Sequence, residues 1–174
     1  MQHRAAVEHG SLDWLNGLDE ADAVAELRAC CAAGPWLRGM VQARPFTSPG
    51  HLTETSDRLV GALDDAGLAE ALAAHARIGQ RRGGGSREDS WSRTEQASAL
   101  SAGADLQALL EQGNRAYEER FGRVFLIRAV GRSAQEMYDA QQARLGNDDD
   151  TERAVVLHEL ADIVRLRLEG LVGA

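Results

Sequence analysis

Apolar side chains recur three and four residues apart in one segment after another of this chain, and that helical period leaves little room for any other architecture. In residues 19–31 the apolar set is Ala23, Val24, Leu27 and Cys30 or Cys31, with Asp19, Glu20 and Asp22 at the end where a helix dipole favours negative charge. Gly34 and Pro35 break that helix, and residues 36–41 read as a short second one that stops before Arg44, because the residue ahead of Pro45 is pushed out of helical geometry. Ser48 caps a third helix with Pro49 in its first position; it carries Leu52, Leu59, Val60 and Leu63 and is expected to end near Gly67. Residues 68–75 form a further helical stretch with His75 at its C-terminal end. Residues 79–90 hold Gly83, Gly84, Gly85 and several arginines without one apolar residue, so an exposed, mobile loop is expected, with helical signals resuming at Ser92.

Further on, residues 105–120 repeat the pattern through Leu106, Leu109, Leu110 and Tyr117. Ser133 and Glu136 have the form of a capping box for a helix to Leu145, and Thr151 starts a long final helix to about Leu171. Only residues 121–130, Phe-Gly-Arg-Val-Phe-Leu-Ile-Arg-Ala-Val, read as extended. A lone strand has nothing to pair with, so this segment is expected as a buried connector. The expected fold is all-α: a single-domain helical bundle over residues 1–174 of about seven to nine helices, with an extended connector near 121–130 and a frayed lead at 1–10. There is no internal repeat.

Composition narrows the function. A chain of 174 residues, 44% hydrophobic, suits one domain with a real core. A net charge of -8 and a pI near 5.1 argue against nucleic acid and anionic membranes, which need clustered positive charge, so the expected partner is a small molecule. All 19 basic residues are arginine, which excludes a Schiff-base lysine. Cys30 and Cys31 are adjacent, unsuited to a long-loop disulfide or a spaced metal site, and fit a reducing compartment. No apolar run approaches the roughly 20 residues of a membrane span, and His, Arg and Glu stand in the first ten residues where a secretion signal would be apolar. A soluble, cytoplasmic protein is expected.

Several polar motifs are ambiguous one at a time. His75-Ala76-Arg77-Ile78-Gly79 places an imidazole, the side chain best matched to proton transfer at neutral pH, where a helix gives way to a glycine-rich loop. The helix dipole alone would account for it. Ser92-Arg93-Thr94-Glu95-Gln96, like Ser133 to Glu136, has the form of a helix start, although a carboxylate in a first turn can also hold a histidine in one tautomer. The triple glycine lacks the Gly-Lys-Ser/Thr and the preceding strand of a phosphate loop. His158 and Asp162, four apart, are too few for a metal site and suit a surface ion pair. Of Arg165 and Arg167, one should be solvated and the other could bind a carboxylate; spacing leaves open which.

Taken in order, these segments resemble the 2-oxo-4-hydroxy-4-carboxy-5-ureidoimidazoline (OHCU) decarboxylases. Their pattern is a His-Pro-Arg-Ile-Gly-like segment, then Ser-x-x-Glu-Gln, then Phe-Gly-x-x-Phe-x-Ile-x-Ala, then Leu-Arg-Leu. The counterparts here run from His75 to Gly79, Ser92 to Gln96, Phe121 to Ala129 and Leu166 to Leu168, with weaker similarity from Leu15 through Arg44-Pro45-Phe46 to Leu171. The resemblance implies an all-α fold, no metal or organic cofactor, and a homodimer. It implies decarboxylation of OHCU to (S)-allantoin and carbon dioxide, the last step from urate to allantoin. It matches His75 to the family's essential histidine and Glu95 to its acidic partner. Ala76, Ser92, Gln96, the backbone of Phe125, Leu126, Ile127, Arg128 and Ala129, and Arg167 match positions around the substrate. Two residues depart from the pattern. Ala76 replaces a usual proline, which should loosen the backbone after His75 and tune the site without disabling it. Arg128 replaces a small residue, often cysteine, and its side chain must point to solvent or into the pocket. A non-catalytic relative of the family is the rival reading; it would be marked by loss of His75 or Glu95, and both are present.

Overall fold

In the computed structural model, which describes residues 9–80 and 87–174, short polar side chains open most of the helices. Ser11 caps α1 (Leu12–Gly17), Asp19 caps α2 (Glu20–Arg28), and Ser48 caps α4 (Pro49–Gly61), each accepting a hydrogen bond from a backbone N–H in the first turn. Between them α3 (Gly34–Gln42) has no such cap of its own; Glu70 supplies one from a distance, accepting from the Gly34 amide at 2.8 Å. Gly34 and Pro35 therefore start α3, as a first turn tolerates proline, and the helix expected to run to Cys31 and break there has already ended at Arg28.

The expected end of the third helix near Gly67 is corrected to Gly61. Asp64 takes the Gly67 amide at 2.8 Å and begins α5 (Asp65–Ala73), so Gly67 is helical and buried. A Cβ at that position would meet Leu63 Cδ2 at 3.0 Å and Pro35 Cγ at 3.5 Å, so the glycine lets α5 close on the start of α3. The loop expected over residues 79–90 is corrected too. Residues 81–86, with the triple glycine, lie outside the described residues, as do residues 1–8 of the expected frayed lead. Residues 87–90 are already helical, in α6 (Arg87–Glu95), so Ser92 is interior and not a cap. Arg87 reaches Glu26 of α2 at 2.5 Å and lies over the Trp91 ring, which packs on the core. This start rests on contacts with another helix, which periodicity does not reveal.

Next come α7 (Ala97–Leu100), α8 (Ala104–Phe121), α9 (Ala134–Arg144) and α10 (Asp149–Val172). Gly122 ends α8 at φ 66°, a left-handed stop, and Ser133 with Glu136 forms the expected capping box before α9. Ten helices are present among the described residues, more than the seven to nine expected, because α1 and α7, of six and four residues, are too short to show a period. None of the described helices is long and apolar enough to cross a membrane.

Two apolar clusters fill the interior. The first joins α2 to α5 with α10 through Leu27, Trp36, Met40, Leu52, Leu72 and Leu160. The second joins α8 and α9 through Leu110, Tyr117 and Met137, with Ile78 and Ala99. The connector over residues 122–130 runs between them and, as expected, pairs with no strand among the described residues. Its side chains alternate as an extended chain's must: Phe125, Ile127 and Ala129 enter the second cluster and Leu126 the first.

Without a ladder, the connector's backbone is satisfied by side chains. Arg144 donates to the Leu126 carbonyl at 2.7 Å, the Arg128 amide donates to Glu159 at 2.7 Å, and Arg132 donates to the Arg128 carbonyl at 3.1 Å. Arg144 is fixed in turn by buried Glu152, at 2.9 and 2.6 Å, and stacks over Phe125 at 4.5 Å. Tyr117 also donates to Glu152, and burial together with that bond pushes its phenol well above the ordinary range.

Candidate active site

Three segments far apart in sequence meet at the seam of the two clusters. The first follows α5. The His75 amide donates to the Leu72 carbonyl at 2.9 Å, Asn114 donates to the Ile78 carbonyl at 2.9 Å, and the Gly79 amide donates to Gln96 Oε1 at 3.1 Å. Residues 75–79 are thereby held in a fixed path after their helix ends, with Gly79 at φ 80°, where a side chain would be strained. His75 and Ala76 are half-buried there.

The second segment is α6 and its end. Ser92, Glu95 and Gln96, spaced three and four apart, share one face. Gln96 is buried and commits its carbonyl to Gly79; its amide lies 3.5 Å from Ser92 Oγ, a weak contact. Glu95 receives both teeth of Arg167, Nε at 2.9 Å and Nη2 at 2.8 Å, with the arginine side chain only 6% exposed. This two-point bond is the strongest way a carboxylate is oriented by a side chain. The question left open by spacing is answered here: Arg167 is the buried arginine, whereas Arg165 pairs with Asp57 near the surface.

The connector is the third. His75, Ala76, Ser92, Glu95 and Gln96 line a narrow cleft with residues 125–129, and Ile163 and Leu166 of α10 complete it, around a cavity of about 20 Å³. All the site residues expected from the sequence lie on this cleft except Arg167, which holds Glu95 from behind. Ile163 and Leu166 were hidden among core positions of a helical period. Glu159 and Arg144, which hold the connector from other helices, carry no sequence signal, because their backbone partners are 31 and 18 residues away, and Arg132, four residues from its partner, lies in a turn with no period to mark it.

A larger hollow of about 660 Å³ also borders His75 and Ala76, against Arg77, Gln80, Glu118 and Arg123. Size favours it; chemistry does not. Its main charges, Arg77 and Glu118, already satisfy each other in a two-point pair at 2.5 Å. The narrower cleft gathers an imidazole, a fixed carboxylate and backbone groups from separate elements, which is what proton transfer needs.

Other chemistries find little footing. Burial pushes Cys30 up to about 12 and Cys31 up to about 11, although the Arg167 charge pulls both the other way, so neither is a ready thiolate nucleophile at neutral pH. Among the described residues no group of three His, Cys, Asp or Glu is placed to hold a metal ion. His158 and Asp162 form a surface pair at 3.7 Å.

Comparison with known proteins points the same way as the motif order. The family model described as OHCU decarboxylase matches residues 16–169. The chain is similar to the uric acid degradation bifunctional protein TTL of Arabidopsis thaliana, 29% identical over 150 residues, covering 84% of this chain and 46% of that protein. It is 27% identical over 166 residues to the uric acid degradation bifunctional protein PucL of Bacillus subtilis (strain 168), covering 93% of this chain and 33% of that one. The chain thus spans less than half the length of either. The 2-oxo-4-hydroxy-4-carboxy-5-ureidoimidazoline decarboxylase of Amia calva is 28% identical over 132 residues, 74% of this chain and 75% of that protein. Among solved structures, an OHCU decarboxylase crystallised in the presence of (S)-allantoin superimposes with a TM-score of 0.74 at 24% identity, over 86% of this chain and 98% of the other, a likeness of fold.

Proposed function

The chain belongs to the OHCU decarboxylase family, and from that premise we propose that it converts OHCU into (S)-allantoin and carbon dioxide, the closing step from urate to allantoin. One observation carries the reading: a half-buried histidine shares a cleft with a carboxylate fixed by a two-point arginine, and connector residues 125–129 line the same space.

The substrate carries a hydroxyl and a carboxylate on one ring carbon, beside an imine carbon that bears the ureido group. When the bond to the carboxylate breaks perpendicular to the ring, its electron pair forms a double bond to the neighbouring carbon. The imine pair then settles on the ring nitrogen, which takes a proton. The ring is its own electron sink, the part that a cofactor plays in other decarboxylases. The hydroxyl next gives up its proton and becomes a carbonyl while the adjacent carbon receives one. Protonation from a single face fixes the (S) configuration.

What remains for the protein is orientation and proton handling. His75 moves the proton; Glu95 orients or polarises it and is itself held by Arg167. Ser92, the Gln96 amide and the backbone groups of residues 125–129 not taken by Arg144, Arg132 and Glu159 hold the ring and the ureido group. Ala76, in place of a more rigid residue, tunes the path of the backbone after His75. A homodimer in the cytoplasm is part of the same proposal, resting on the family resemblance and on cysteines suited to a reducing compartment; a sedimentation mass of twice the 18.8 kDa chain checks the first half.

The test couples urate oxidation and hydrolysis to this protein and follows allantoin by circular dichroism. Rapid appearance of one enantiomer is expected, and His75→Asn should lower the rate by about 10²–10⁴-fold with helical content unchanged. Racemic product at the uncatalysed rate from the unaltered protein would defeat the assignment.

A further inference from the structure

The charges around the cleft do not balance. Its lining holds one carboxylate, Glu95, and that is already neutralised by Arg167. It also holds Arg128, half-buried, on the same edge of the extended connector as Leu126, two residues before it. The backbone of Arg128 is fully engaged, its amide with Glu159 at 2.7 Å and its carbonyl with Arg132 at 3.1 Å. Its side chain is not. Nε is sealed from water with no acceptor among the described residues, and none of the ion pairs among them uses this guanidinium. The nearby carboxylate of Glu159 is shared by the Arg128 amide and by Arg132 at 3.5 Å, so it offers no neutralising partner of its own. A guanidinium donor withdrawn from water calls for an anion.

We propose that Arg128 binds the substrate's carboxylate, which makes it a residue that selects acids over neutral ureido compounds; the identity of that acid rests on the decarboxylase reading above. The contact is made with a charge that disappears as carbon dioxide leaves. It therefore strengthens ground-state binding and does not lower the barrier. Its signature is a split between KM and kcat.

The kinetic test compares the unaltered protein with Arg128→Gln and Arg128→Lys. Arg128→Gln should raise KM for OHCU at least tenfold, leave kcat unchanged or higher, and leave inhibition by (S)-allantoin, which has no carboxylate, within twofold; Arg128→Lys should recover part of the loss. Unchanged KM, or weakening of allantoin inhibition in step with KM, overturns the proposal, the latter because it would mean that Arg128 only shapes the pocket. Calorimetric titration with allantoate, which keeps a carboxylate beside ureido groups, reads the contact without turnover. Dissociation constants for the unaltered and Arg128→Gln proteins should differ at least tenfold, and equal values overturn the inference whether or not the chain is active. An inactive chain that keeps this difference supports the anion contact and removes only the decarboxylase reading.

Discussion

A carboxylate that is to orient an imidazole, the part proposed for Glu95, has to be held still, and the two-point bond from Arg167 holds it. At 6% and 18% side-chain exposure the pair is largely out of water, where removing one partner strands the other. Arg167→Met should therefore cost about 3–5 kcal/mol in urea unfolding and lower kcat as well. The double variant Arg167→Met, Glu95→Gln, which leaves no charge stranded, should regain most of the stability and none of the activity. If activity returned with stability, the pair would be structural only. Legibility at this scale was uneven. Both arginines of the Arg-Leu-Arg run were visible, but the choice between them depended on Asp57 and Glu95, partners 108 and 72 residues away. His75 and Glu95 each looked like a helix terminus, and only the order of four motifs separated them from ordinary caps.

At the scale of elements, the connector shows what periodicity can and cannot convey. Its extended character was readable because β-branched and aromatic residues replaced the helical period, and its lack of a partner followed from the helices on either side. How its backbone is satisfied was not readable. A side chain that replaces a strand is defined by position in space, so Arg144 and Glu159 looked like any charged residues on helix faces. Glu159 is buried, and its carboxylate takes the Arg128 amide and approaches Arg132 at 3.5 Å. Glu159→Ala should lose about 1–3 kcal/mol, the usual penalty for an unsatisfied buried donor, and should raise KM because the wall carrying residues 125–129 loosens. Glu159→Gln keeps an acceptor and should recover much of the KM change. Equal KM in all three proteins would show that Arg144 and Arg132 hold the connector without Glu159. The start of α6 illustrates the same limit: residues 87–90 are polar throughout, and their helix is anchored on Glu26 and the core through Arg87 and Trp91.

For the molecule as a whole, the amphipathic stripes dictated helices and one buried interior, yet they were silent on the division of that interior into two clusters. The division matters because the cleft lies along it. Ile78, Phe125, Ile127 and Ala129 belong to the second cluster, while Leu126 and Ile163 belong to the first, and all of them line the same space. A ligand seated there touches both halves and stabilises them together, by about 2.7 kcal/mol at a hundredfold excess over its Kd. Saturating (S)-allantoin should therefore raise the thermal midpoint and slow amide exchange on both sides of the seam, at Ile78 and Ile127 as well as at Ile163 and Leu166 of α10. A ligand bound instead in the larger hollow by Arg77 and Glu118 would touch Leu72 and Val124 and leave α10 as it was. Exchange that slows along residues 72–80 and 122–124 but not in α10 would move the site to that hollow, and with it the role assigned to Glu95, which does not face it.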